Sequence, residues 1–172
     1  MLEALIFVVF PFCMVFAAVS DMLSMTIANR VSLLLLGSFV VIAPLTGMAW
    51  TDLGWHLAAG AMMLSVTFAL FALGGMGGGD AKLMAATAVW MGFDIALVQY
   101  LVVAAVVGGL LTLAILMFRS SMLAPITKAN MFLRHFADEK TGVPYGIALG
   151  IGGLIVYPQT PLMIWALERL SA

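Results

Sequence analysis

Charge is what this chain has least of. Of its 172 residues only 9% are Asp, Glu, Lys or Arg, against 65% hydrophobic, and the mean hydropathy is +1.19. A soluble domain carries about 25% charged residues. So small a polar complement cannot cover a water-facing surface, which excludes a soluble globular domain and makes this an integral membrane protein. Cysteine is nearly absent as well. Cys13 stands alone, so an intrachain disulfide and a thiolate zinc centre are both excluded. Inside its apolar run it reads as a small hydrophobe. The net charge is −1 and no basic patch marks a nucleic-acid partner. The first apolar segment lacks a basic leading region and is long enough to remain a membrane helix, so no cleaved signal peptide is expected.

What the chain has instead is long apolar runs. A span needs about 20 apolar residues at about 1.5 Å each. Six helical segments are expected, near residues 2–20, 28–46, 53–73, 81–92, 95–118 and 143–170. The fourth is short. The sixth is interrupted around Tyr157-Pro158-Gln159-Thr160-Pro161. Pro11 falls inside the first, where a kink is tolerated. The expected class is all-α: a polytopic membrane protein of about six transmembrane helices, with a short fourth helix after a Gly-rich loop. Residues 1–172 read as a single membrane domain, with one long polar connection at 119–142 and no internal repeat.

The few charges orient it. Passing the chain back and forth puts Arg30, Lys82, Arg119, Lys128, Arg134 and Lys140 on one side and only Arg169 on the other. The positive-inside rule makes the first side cytoplasmic and the N-terminus external. Asp21 and Asp80 then return to that same cytoplasmic end, while Glu3, Asp52, Asp94 and Glu168 lie at the outer ends.

Asp80 sits in GGMGGGDAKLM, residues 74–84. Glycines let a backbone turn sharply and come close to another chain. Irregular backbone at membrane depth belongs where it is buried in protein or lines a wet cavity. Two readings stand: Asp80 caps the fourth helix, or it is a functional carboxylate. A phosphate-binding loop is excluded, because Asp80 stands where that motif needs Lys. Asp21, in SDMLSMTIANR, is either a solvated helix end or the partner of Asp80. Two carboxyl groups brought close share a proton and titrate as a pair. One can take a proton from water while the other polarises a peptide carbonyl, the aspartic-protease division of labour. That chemistry calls for no metal and no cofactor. His56 at the outer end and His135 in the polar loop are expected to be interfacial or solvated. Lys82 reads as a headgroup anchor, or as a cation favouring a charged carboxylate. Trp90 and Met91 read as packing residues. Gly108 and Gly109 read as permitting close helix contact.

Three stretches together resemble the type IV prepilin peptidases. Asp21 followed by Ile27 and Asn29, in DMLSMTIAN, resembles their first element. GGGDAKLMAATAVWMG, residues 77–92, resembles their GxGDxKL segment, and VPYGIALGIGG, residues 143–153, their third element. The order and spacing agree over essentially the whole chain. The resemblance implies an inner-membrane aspartic endopeptidase that removes the basic leader of a single-span prepilin at the cytoplasmic face. In it Asp21 and Asp80 match the catalytic pair, Gly77, Gly78 and Gly79 let the Asp80 loop approach substrate, and Asn29 holds Asp21 or the loop, or simply starts a helix. Pro144, Tyr145 and Gly146 place the sixth segment near the pair, or simply begin that helix. Asp138 and Glu139 are candidates to meet the leader, with lipid or solvent as the other readings. Pilus assembly machinery and membrane lipid are the expected partners. Larger members carry a cysteine-bearing insertion and methylate the new N-terminus; one cysteine and no such insertion point here to peptidase activity alone. Ala28 and Tyr145, where many members have Pro and Phe, resemble the small form that serves tight-adherence (Flp-type) pili. Two other classes remain open at this stage: a small transporter component, and a non-catalytic pilus or secretion assembly factor.

Overall fold

A computed structural model describes residues 1–121 and 142–171. Among those residues the chain is helical, with no strand. α1 is Leu2–Ser24, α2 Asn29–Leu45, α3 Trp50–Ala72, α4 Gly78–Met91, α5 Ile95–Arg119 and α6 Tyr145–Val156. A 3₁₀ turn, Tyr157–Gln159, leads to α7, Pro161–Ser171. The expectations for Lys128, Arg134, His135, Asp138, Glu139 and Lys140 lie outside the described residues.

Helix is what such a composition must form, because lipid offers backbone amides no partner. α1, α3 and α5 are each long and apolar enough to cross a membrane; α6 and α7, bent by 50° at their break, make a fourth span if taken together. α2, with 17 residues, and α4, with 14, fall short of that length. By length and composition the described residues therefore support three or four spans rather than about six. At about 1.5 Å per residue α4 reaches only about 21 Å, against a hydrocarbon core of about 30 Å. It has no lipid-facing stripe to reveal it: Ala85 to Met91 are all buried.

α4 is the hub. α3, α2 and α6 pack around it, α1 lies against α6 and α2, and α5 lies against α6. Its alanines let neighbours come close, and its one large anchor, Trp90, is fully buried. The Trp90 indole N–H donates to the Leu35 carbonyl at 2.9 Å. Its ring packs at 5.3 Å from Phe10 and 5.6 Å from Phe39, centroid to centroid. Tyr157 stacks on Phe10 at 4.1 Å and donates its hydroxyl to the Ile6 carbonyl at 2.7 Å. The break before α7 is thus pinned to the start of α1. Cys13, 1% exposed, packs in this core as a small hydrophobe. The outer faces are apolar too, with Phe12, Val41, Phe68, Val102, Val106 and Leu113 all exposed. A water-facing surface does not tolerate patches of that extent.

α6 meets its neighbours through glycine. A β-carbon on Gly150 would stand 2.8 Å from the Met14 carbonyl oxygen and 3.0 Å from Ala18 Cβ. Of the two glycines in α5, Gly108 is packed against the Tyr145 ring, whereas Gly109 faces open space. Gly150→Ala must part α1 from α6, so it is expected to destabilise by about 1–3 kcal/mol, the usual cost of overpacking. Gly109→Ala meets nothing and should leave stability unchanged or slightly raised. Thermal unfolding of the two variants in detergent, beside wild type, checks the pair.

Candidate active site

One end of the bundle gathers pieces of α1, α2, α4 and α6. The first is the α1–α2 turn. Met25 takes the left-handed conformation at φ 53°, and its N–H donates to the Asp21 carbonyl at 2.8 Å, ending α1. The Ser20 hydroxyl donates to the Thr26 carbonyl at 2.8 Å and fixes the reversal. Asp21 therefore lies one turn inside α1 rather than at its end, and is 6% exposed. Ile27 turns inward and is buried.

The second piece is the start of α4. Gly74, at φ 76°, closes off α3. Gly77 is the N-cap of α4, without a side-chain capping bond, so Asp80 is not the cap; it lies inside the first turn. Gly78 and Gly79 also belong to that turn rather than to a free loop. Close approach explains them. A β-carbon on Gly79 would stand 3.1 Å from Ile27 Cβ, and one on Gly77 would stand 2.8 Å from the Asp80 carboxylate.

The third piece is the start of α6. Pro144 precedes the helix and Tyr145 opens it. The first N–H groups of a helix lack partners within it. Here the Gly146 N–H donates to Asp21 Oδ2 at 2.7 Å, across 125 residues of sequence. A β-carbon on Gly146 would stand 2.8 Å from Asp21 Cβ and 2.8 Å from Ile27 Cδ1. Ile27 is thus clasped between Gly79 and Gly146, and this brings α4 and α6 to Asp21.

Asp80 thus enters α4 beside Gly79, which meets Ile27, and Ile27 meets the Gly146 turn that holds Asp21. Asp80 is half-buried, and no donor among the described residues bonds its carboxyl. One member of the pair is held by a backbone amide; the other has free oxygens. Lys82 donates to the Asn29 Oδ1 at 2.9 Å. Asn29 therefore opens α2 and ties it to the start of α4, two of the readings the sequence offered, rather than bonding Asp21. Among the described residues Lys82 bonds this amide rather than a carboxylate. Tyr145 donates weakly to the Ala104 carbonyl at 3.4 Å and lies within the field of Asp80.

Sequence reasoning missed Tyr100. It is fully buried, lies within the field of Asp80, and sits beside Thr87 without meeting hydrogen-bond geometry, which leaves its hydroxyl unpaired among the described residues. The available signal was Gln99-Tyr100, two adjacent polar side chains in a largely apolar helix. His56, expected at an interface, is buried instead. Its Nδ1 lies 2.8 Å from the Val89 carbonyl oxygen and its ring covers Gly92, at the opposite end of α4 from Asp80. Trp90 and Met91 are core residues. Among the described residues no group of three or more His, Cys, Asp or Glu could hold a metal. What the arrangement offers is two carboxyls at one end of a helical bundle, carried there by the end of α1 and the start of α4 and gathered by Ile27 and the start of α6.

A family model described as "Type IV leader peptidase family" matches residues 8–124. The match takes in Asp21, Ile27, Asn29, Asp80 and Lys82 and stops short of Gly146. None of the curated proteins matches the chain, and no solved structure does.

The meeting of the acids is open to a direct check. In a Cys13→Ser background, Asp21→Cys with Asp80→Cys should cross-link through a short bifunctional thiol reagent. Asp21→Cys with Asp52→Cys, at the opposite end, should not. A mobility shift after proteolytic nicking between the two positions reads the result.

Proposed function

Given that the chain belongs to the type IV leader peptidase family, we propose that it is an aspartic endopeptidase working through Asp21 and Asp80. The single observation that supports this is the packing of Ile27 between Gly79, beside Asp80 in α4, and Gly146, whose amide holds the Asp21 carboxylate at 2.7 Å. The pair shares one proton. One carboxylate takes a proton from water, and the hydroxide so formed attacks the scissile carbonyl carbon. The other carboxyl hands its proton to the carbonyl oxygen. Collapse of the tetrahedral adduct expels the amide nitrogen, which leaves with a proton, and the carboxyls regain the shared one. This division of labour is that of other carboxylate dyads.

The substrate is a prepilin with a basic leader followed by an apolar helix, of the Flp type, cut at the boundary between the two. The whole chain, 1–172, acts as one peptidase domain in the bacterial inner membrane. Six passes, two of them by the short α2 and α4, put the N-terminus outside and the acid pair at the cytoplasmic face. The bias of Arg30, Lys82 and Arg119 to that side supports the orientation. Lys82 and Asn29 hold the first turn of α4 in place. Tyr145 and Pro144 set the start of α6, and with it the amide that orients Asp21. The product passes to the pilus assembly machinery.

Purified Flp-type prepilin in liposomes is the test substrate. Wild type should yield a product shortened by the leader. Asp21→Asn and Asp80→Asn should each lower turnover by more than about 10³-fold, since residues that act as a unit are lost as a unit, with unchanged thermal unfolding. Retention of turnover by either variant overturns the two-carboxylate mechanism. Gly146→Ala moves the Asp21 carboxyl without removing it. It should lower kcat by about 10²-fold, the usual cost of misplacing a reacting group by about 1 Å, and leave KM little changed.

A further inference from the structure

An apolar groove of about 560 Å³ runs along α4, between α2 and α3. Leu33 and Leu36 form one wall, Leu57 and Leu64 the other, and Ala85 and Val89 the floor. It exists because α2 and α3 both lean on α4 and scarcely touch each other. At one end the lining turns polar, with Asn29, Ser32 and Lys82. That end adjoins the acid pair. Lys82 follows Asp80 by two residues in the first turns of α4, and Asn29 follows the Ile27 that packs on Gly79 and Gly146.

We infer that this groove receives the apolar helical segment that follows the scissile bond of the substrate, an inference that rests on the peptidase reading above. A chain whose scissile bond lies at the two carboxyls, and which then enters the membrane, must leave the site between two helices. Several seams are shut by close glycine contact. Gly150 bears on the Met14 carbonyl between α6 and α1, Gly152 on Ala104 between α6 and α5, and Gly60 on Val89 between α3 and α4. The α2–α3 seam, by contrast, is open along α4. From Lys82 to Val89 the floor extends about 10 Å at the helical rise. That length matches about two turns of a docked helix, whose i, i+3, i+4 and i+7 side chains would enter between the leucines. The order of polarity agrees: carboxyls, then an amide, a hydroxyl and an ammonium, then hydrocarbon. It is the order met along a chain passing from a polar leader junction into an apolar helix.

Asp80→Asn protein carrying a photo-activatable benzoylphenylalanine, in vesicles of phosphatidylethanolamine and phosphatidylglycerol with full-length Flp-type prepilin, tests it. Leu33, Leu36 and Leu57 are the groove positions; Val102 and Val106 on the outer face of α5 are controls. Cleavage by wild type is measured beside it. Adducts at the groove positions, mapped to substrate residues just past the cleavage site, and none at the controls, are expected. Cleavage by wild type with adducts at the controls, or only with lipid, overturns the groove and leaves the peptidase standing. No cleavage overturns both. A second reading uses Ala61→Phe, which fills the groove from an exposed position. It should raise KM about tenfold, the scale of one spoiled apolar contact, with kcat unchanged, while Val106→Phe changes neither; an unchanged KM in Ala61→Phe overturns the inference.

Discussion

The bond from the Gly146 amide to the Asp21 carboxylate organises this end of the molecule. It caps α6 with an acid from α1 and carries a polar group into a bundle that offers few others. In lipid, an unpaired amide and an unpaired carboxylate are each costly. Joining them removes both costs and fixes where α6 begins. Nothing larger than a hydrogen fits at position 146, because a β-carbon would collide with Asp21 and with Ile27. Ile27 in turn reaches Gly79, so the same contact sets the depth of the first turn of α4 and the place of Asp80.

The rest of the bundle maintains that geometry from a distance. Trp90, with Phe10, Phe39 and Tyr157, clamps the far half of α4. His56 and Gly92 close its last turn. The short α4 is held along its length by protein and has little freedom to slide. The proposed mechanism calls for that stillness, because a carboxyl displaced by about 1 Å loses most of its effect. The gap between α2 and α3 lies beside this end without loosening the glycine-packed seams.

Some of this was legible in the chain because it depends on composition and order alone. Scarcity of charge required helices in lipid. Two helices, α2 and α3, separate the end of α1 from the start of α4 and bring Asp21 and Asp80 back to one end of the bundle. Other readings depended on which atoms actually approach. Glycines 77–79 looked like a flexible loop, yet Gly78 and Gly79 are helical, and Gly79 is there for Ile27. Asn29 could have held Asp21 or the segment after the glycines, or merely opened a helix; it opens α2 and accepts from Lys82 of α4. His56 looked solvated by its place near a helix end, whereas packing against Gly92 buries it.

By itself the sequence determined that the protein is a membrane-embedded helical bundle and that two aspartates flank the same end of it. Hydropathy and alternation of passes are properties of a linear chain. Only the tertiary structure decided that Asp21 is held by an amide 125 residues away, that no donor among the described residues bonds Asp80, and that an interhelical seam beside them stays open. Those are matters of distance between elements remote in sequence, and distance is set by how side chains as small as a hydrogen allow helices to meet.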